Sequence, residues 1–189
     1  AFRPLRTLCT SIPRMNWTPP APTAVPAPPI PPIRDIHSCA NVNDIQPLHL
    51  HLDWSIDWDA KCIYGTVTHE LEVQKDGTAH ATFDTSYLDI RKVQVDGARA
   101  EYQLEARRGP LGEPLRIHVG ERKAGDRVKV AIDYATTPKC TALGWLSASQ
   151  TRAKKTPFLY SQCQAIHGRS LVPCMDTPSR KVTYTARVN

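Results

Sequence analysis

Most of the motifs that mark an enzyme are missing from these 189 residues. There is no His-Glu-x-x-His, so the usual helix carrying two zinc ligands and a general base is not present. There is no Gly-x-Ser-x-Gly and no phosphate-cradling glycine loop. None of the six cysteines, Cys9, Cys39, Cys62, Cys140, Cys163 and Cys174, forms the Cys-x-x-Cys spacing of a zinc knuckle or a thioredoxin-like site. Reduced thiols and a cytoplasmic location are therefore expected. No apolar run approaches the roughly 18 residues of a membrane span, and no secretory apolar segment is evident. The net charge of +6 divides evenly, +3 in residues 1–40 and +3 in the rest. Without a basic stripe, neither nucleic acid nor membrane is an expected partner.

Proline is abundant but confined. Ten of the 17 prolines fall in residues 1–40, and Thr18 to Pro32 reads TPPAPTAVPAPPIPP. Proline fixes φ and lacks an amide donor, so this stretch excludes helix and central strand. Residues 1–44 are read as a disordered leader, with residues 45–189 as the domain. Three arginines and no acid in residues 1–15 give the leader a faint organelle-targeting character.

The domain reads as strands. Leu48, Leu50, Leu52, Trp54, Ile56 and Trp58 alternate with His49, His51, Asp53, Ser55 and Asp57, the period-two pattern of a half-buried strand. Ile63, Val67, Leu71 and Val73 continue it after a turn at Asp59-Ala60-Lys61. Further strands are expected around Ala79–Phe83, Leu88–Val95, Leu115–Val119 and Val128–Tyr134. Lys75-Asp76-Gly77 and Asp96-Gly97 should be turns. The odd step from Ile90 to Val93 predicts a bulge. No helical period of useful length occurs between 47 and 135, which makes an antiparallel all-β domain. Near the end, Ile166, Ser170 and Leu171 can share a short helical face closed by Pro173. Val182, Tyr184, Ala186 and Val188 then alternate as a last strand. The chain stops just beyond that strand, so a fragment of a longer protein is expected.

Few side chains offer chemistry. His49, His51 and Asp53 form a row on one strand face, a possible ligand set or a plain polar face. Asp53 and Asp57 share a face without an acid–base partner. Cys163 and His167, four apart, would meet if the segment were helical. The densest polar cluster is Gln162, Gln164, His167, Arg169, Asp176 and Thr177. If extended, Gln162 and Gln164 project to one side, where two carboxamides can hold a peptide carbonyl or amine. They can equally stitch an irregular segment to its neighbour.

The same segment carries a resemblance. FLYSQCQAIHGRSLVPCMDTPSRKVTYTARV (158–188) is similar to the end of the N-terminal domain of leukotriene A4 hydrolases and their fungal aminopeptidase relatives. These are gluzincin zinc metallopeptidases, a group that includes aminopeptidase B. HLHLDWSIDWDAKCIYGTVTHELEV (49–73) resembles that domain's opening hairpin, and TTPKCTALGWLSASQT (136–151) its middle motif. Gly168 and Met175 depart from the better-known animal sequences, and the proline-rich leader has no counterpart in the resemblance.

The resemblance implies a saddle-like antiparallel β domain that packs on a separate catalytic domain holding zinc. It also implies that Gln164 reaches the substrate cleft, that Gln162 lines the pocket for the first residue, and that Ala165 lies at the same edge. On this reading the chain binds no cofactor and is inactive alone, because every zinc ligand lies outside it. Its partners are peptide N-termini and the catalytic domain. Two other readings stay open. One is a free-standing peptide-binding or protein-interaction module. The other is a subunit of a separately encoded catalytic chain, docking through an apolar face around Trp145 and residues 158–174.

Overall fold

The computed structural model describes Pro32 and residues 35–189. The long alternating run becomes β1 (Ile45–Asp57), which turns at residues 58–61 into β2 (Cys62–Val73). Lys61 takes φ +52 in that turn, and the Asp57 carboxylate caps it by accepting the amides of Asp59 (3.0 Å) and Ala60 (2.8 Å). One of the two strand carboxylates is thereby consumed by local structure. The β1–β2 register slips between Pro47 and His49, where proline cannot donate to the ladder.

β3 (Thr78–Phe83), β4 (Leu88–Val95), β5 (Ala98–Arg99), β6 (Tyr102–Leu104), β7 (Leu115–Arg122) and β8 (Arg127–Thr136) follow. Asp96 at φ +50 and Gly97 at φ +84 close the β4–β5 hairpin, as the dipeptide requires. The expected bulge is found in the β4–β8 ladder between Ile90 and Lys92. A short hairpin, β9 (Leu143–Leu146) with β10 (Phe158–Ser161), precedes a single helical turn, α1 (Gly168–Leu171).

Three sheets result among the described residues. The largest has the order β11-β1-β2-β8-β4-β5, where β11 is Thr183–Val188; the others are β3-β7-β6 and β10-β9. The pairings are antiparallel except the last, since β11 runs parallel to β1 from His49↔Thr183 to Trp54↔Val188. Ile45, Leu71 and Ile132 from the large sheet meet Phe83, Leu115 and Ile117 from the three-stranded sheet in one core, all fully buried. Each such side chain contributes about 1.5–3 kcal/mol relative to exposure. Trp54 Nε1 donates to Tyr134 Oη at 2.8 Å, tying β1 to β8 across β2.

The expected leader boundary at residue 44 needs correction. Residues 1–31, 33 and 34 lie outside the described residues, but residues 35–44 belong to the fold. Val42 is buried. The Cys39 amide donates to the Asp84 carboxylate at 2.7 Å, and Asn41 bridges to β3 through His80 O and the Thr82 amide. These bonds are nonlocal, so no periodicity within 35–44 announces them.

Candidate functional site

The segment after β10 leaves the sheet because its amides find partners elsewhere. Gln162 N donates to Ala142 O at 2.8 Å, and His167 N to Cys163 O at 2.8 Å, which curls residues 164–167 into a turn. Ile166 holds φ +61, a left-handed conformation that costs a β-branched residue of the order of 1–3 kcal/mol. The Gln164–Ala165 peptide is cis. Because residues 164–167 form a turn, Gln162 and Gln164 do not lie side by side on an extended strand. Gln162, Gln164 and Ala165 all stand exposed, and the Gln162 side-chain amide donates to Gln164 O at 3.4 Å.

Gln164, Ala165 and Ile166 form one wall of an open cleft of about 1040 Å³. Cys163, Asp176–Ser179 and the pair Asp35 and His37 form the rest; Gln162 is not among the lining residues. The cleft carries a fixed negative group. The Thr177 hydroxyl, and then the His37 amide at 2.8 Å, hold the Asp35 carboxyl below the ordinary carboxylate range. Sequence reasoning assigned Asp35 and His37 to the leader. The one signal was that Asp35 is the only acid in residues 1–40.

Beneath the turn sits a buried ion network. Arg169, with no exposed surface, donates from Nε to Asp176 Oδ2 (3.0 Å), from Nη1 to Leu111 O (2.9 Å) and from Nη2 to His37 O (2.8 Å). Asp84, equally buried, accepts from Ser38 Oγ, Cys39 N and Asp176 N. Burial pushes the Asp84 carboxyl upward, and these donors together with Arg169 pull against it. Arg169 is thus a staple that fixes three cleft-forming segments, and it is not free to meet a ligand. A sequence pattern cannot distinguish an arginine that points inward from one that points out.

The other sequence candidates separate cleanly. His167 Nδ1 bonds Thr141 Oγ1 at 2.7 Å, and burial, then Asp176, raises the Cys163 thiol above its ordinary value. That arrangement leaves a protonated thiol and an occupied imidazole, so the pair does not serve as an activated nucleophile. His49 Nδ1 bonds Thr183 Oγ1 (2.8 Å) and its Nε2 bonds Thr185 Oγ1 (3.1 Å), while His51 Nδ1 also bonds Thr185 Oγ1 (2.7 Å). The histidine row fastens β11 to β1. Among the described residues no group of three His, Cys, Asp or Glu is placed to hold a metal ion. The donor set of the described residues does not fit zinc.

The hairpin beside the cleft leaves large aromatics in solvent. Phe158, Tyr160, Trp58 and Tyr64 are 54, 48, 43 and 43 % exposed, and Trp58 meets Trp145 edge-on at 5.6 Å. Phe158 and Tyr160 stack at 6.5 Å on the hairpin itself, a joint exposure beyond the scattered single exposures of an ordinary surface.

Comparison with known proteins agrees with this architecture. A leucine aminopeptidase 2 of Chaetomium globosum is 44 % identical over 154 residues, covering 80 % of this chain and 25 % of its own. A leukotriene A-4 hydrolase homolog of Botryotinia fuckeliana is 40 % identical over 190 residues, 97 % of this chain and 29 % of its own. The second alignment reaches into the proline-rich region, which therefore does have a counterpart in a relative. The structure of yeast LTA4 hydrolase in complex with bestatin superposes with a TM-score of 0.77 at 40 % identity, covering 86 % of this chain and 25 % of the yeast protein. The chain thus spans about a quarter of the length of the relatives it matches. The Peptidase M1 N-terminal domain matches residues 46–189, and the chain belongs to that family.

Proposed function

We propose that this chain is the non-catalytic N-terminal domain of a leukotriene A4 hydrolase-like zinc aminopeptidase, and that it orients the substrate through Gln164. The observation that carries this reading is the position of Gln164 and Ala165 in the wall of an open cleft, with the Gln164 carboxamide exposed to a ligand. A neutral carboxamide both donates and accepts, which suits the amine end of a peptide and the first carbonyl. Asp35 adds a carboxylate to the same cleft, complementary to an N-terminal ammonium. In this reading Gln162 has a supporting role, buttressing the turn through Gln164 O.

Zinc belongs to a second domain outside this chain, which supplies the metal and the general base. The exposed, stacked pair Phe158 and Tyr160 is the surface that such a domain would cover. The substrates are peptides with a free N-terminus, and the location is cytoplasmic.

The test begins with the native protein, captured through an epitope in residues 45–189. A zinc-bearing aminopeptidase several times heavier than 21.1 kDa is the expected species. In that species Gln164→Ala should lower kcat/KM by about tenfold, the loss of one or two substrate hydrogen bonds. A native species at 21.1 kDa that binds peptides without cleaving them would replace this reading with a free-standing binding module.

A further inference from the structure

The outward face of the three-stranded sheet has a chemistry of its own. The register sets His80 of β3 opposite His118 of β7, and Thr82 opposite Arg116. On the other flank of β7, Gln103 of β6 pairs with Arg116, and the His118 amide donates to Glu101 O at 3.1 Å. Side chains alternate along a strand, so while Ala81, Ile117 and Val119 enter the core, His80, Arg116, His118 and Gln103 face solvent together. The two imidazole rings stand 5.2 Å apart at 64°, and Arg116 Nη2 lies 3.4 Å from His80 Nδ1. With Glu101 and Tyr102 these residues line a hollow of about 390 Å³.

Among the described residues Arg116 makes no ion pair, whereas Arg107, Arg122 and Arg169 each face a carboxylate. In the adjoining hollow, which shares His80 and Arg116, Arg108 is already paired with Glu105. Glu101 lines the same hollow as Arg116 but makes no ion pair with it. Burial, then the charges of Arg116 and His118, lowers the proton affinity of His80. A guanidinium without an ion pair, beside His80 and in the same hollow as His118, presents donors in several directions. A metal cation suits the place poorly, because the guanidinium repels it and already occupies His80 Nδ1.

We propose that Arg116, His80 and His118 form a binding site for a tetrahedral oxyanion of the phosphate class, free or as a small monoester. The guanidinium supplies the forked contact and the two imidazoles close around the remaining oxygens. His80 Nδ1 accepts from Arg116, so His80 meets the anion through its Nε2–H, while His118 meets it best as the imidazolium; anion and proton are taken up together and affinity rises as pH falls. The other ionisable groups lining the hollow are Arg116, Glu101 and Tyr102, whose hydroxyl is directed at Ile90 O. Histidine is the side chain whose charge ordinarily changes between about pH 5 and 8, which places the expected pH dependence there.

The test uses the full 189-residue chain and follows its histidine Cε1–H NMR signals during titration with sodium sulfate, a dianion throughout this range. Ionic strength is held constant with chloride, and inorganic phosphate and glycerol phosphate are run in parallel. Saturable shifts of two histidines are expected, several-fold tighter at about pH 5.5 than at about pH 7.5. Arg116→Gln should weaken binding about tenfold or more, and Arg116→Lys should fall between, since it keeps the charge and loses the fork. His118→Gln should flatten the pH dependence. Tighter binding of either phosphate form supports the site and identifies its source. Linear shifts no larger than those in chloride, or saturable binding unchanged in Arg116→Gln, would overturn the proposal.

Discussion

Arg169 sets its Nη1 3.5 Å from Asp84 Oδ1, and neither residue has any exposed surface. One lies on the helical turn below the cleft and the other just after β3, so the pair joins the cleft to the core. Replacing Arg169 by methionine would strand the Asp84 carboxylate and four acceptors without their donor. A loss of about 3–5 kcal/mol is expected, read from urea unfolding of the 189-residue chain. Arg169→Met with Asp84→Leu should recover part of it, because both buried charges are then gone. A single substitution costing less than about 1 kcal/mol would show that the network is not the staple described.

Gly112 is where the Arg169 staple meets the β3–β4 connection. Its φ is +83, and a Cβ there would lie 2.0 Å from Thr85 O, which is backbone and cannot swing aside. Gly112→Ala should therefore destabilise the chain by about 2 kcal/mol or more. Gly109, also at positive φ but with open space around it, should cost less on the same substitution. Equal losses at both positions would remove the clash as the cause.

His69 gives the fold a pH dependence. Its Nε2 donates to Pro173 O at 2.9 Å, its Nδ1 is buried without a partner, and its ring packs on Phe83. Burial lowers its pKa to about 4, with the Pro173 bond opposing. The folded value lies below the unfolded 6.5, so the neutral ring is the form that folding favours. Its contribution is complete above the unfolded value, shrinks as pH falls, and is lost by about pH 4. At about 1.4 kcal/mol per unit, the span is worth about 3 kcal/mol. Asp84, whose carboxyl is raised, contributes in the opposite sense over part of this window. The difference between wild type and His69→Gln isolates the histidine. Parallel stability–pH curves for the two would exclude it.

On the proposed function, Gln164 should serve binding and not folding. Its side chain is exposed and makes no hydrogen bond that supports the turn, so Gln164→Ala should leave unfolding unchanged within about 0.5 kcal/mol. A larger loss would recast the residue as structural and weaken its assignment to the substrate.

Much of this was readable beforehand, and the reasons divide by range. The alternation of Leu48 to Trp58, the Asp96-Gly97 hairpin and the bulge after Ile90 are all local, and local pattern predicts them. The parallel docking of β11 on β1 depends on residues about 135 apart, as His49 with Thr183, and no window of sequence contains both. Arg169 looked like one more member of a polar cluster, since burial is decided by Asp84 and His37, far away in the chain. The two glutamines share one short motif, but the turn at 164–167 divides them, and of the two Gln164 alone lines the cleft. His80 and His118 are 38 positions apart and meet only because β3 and β7 pair.

The place of β11 has a consequence for synthesis. A ribosome releases β1 long before Thr183–Val188 emerges, and until then one edge of β1, with its row of amides and carbonyls, has no strand beside it. The hairpin of β1 and β2 can form at once, but the large sheet gains this border only from its last strand. Such an edge is open to other chains during translation. His49 and His51 hold polar side chains along that border before Thr183 and Thr185 arrive to bond them, which keeps the waiting strand hydrated while the rest of the chain is made.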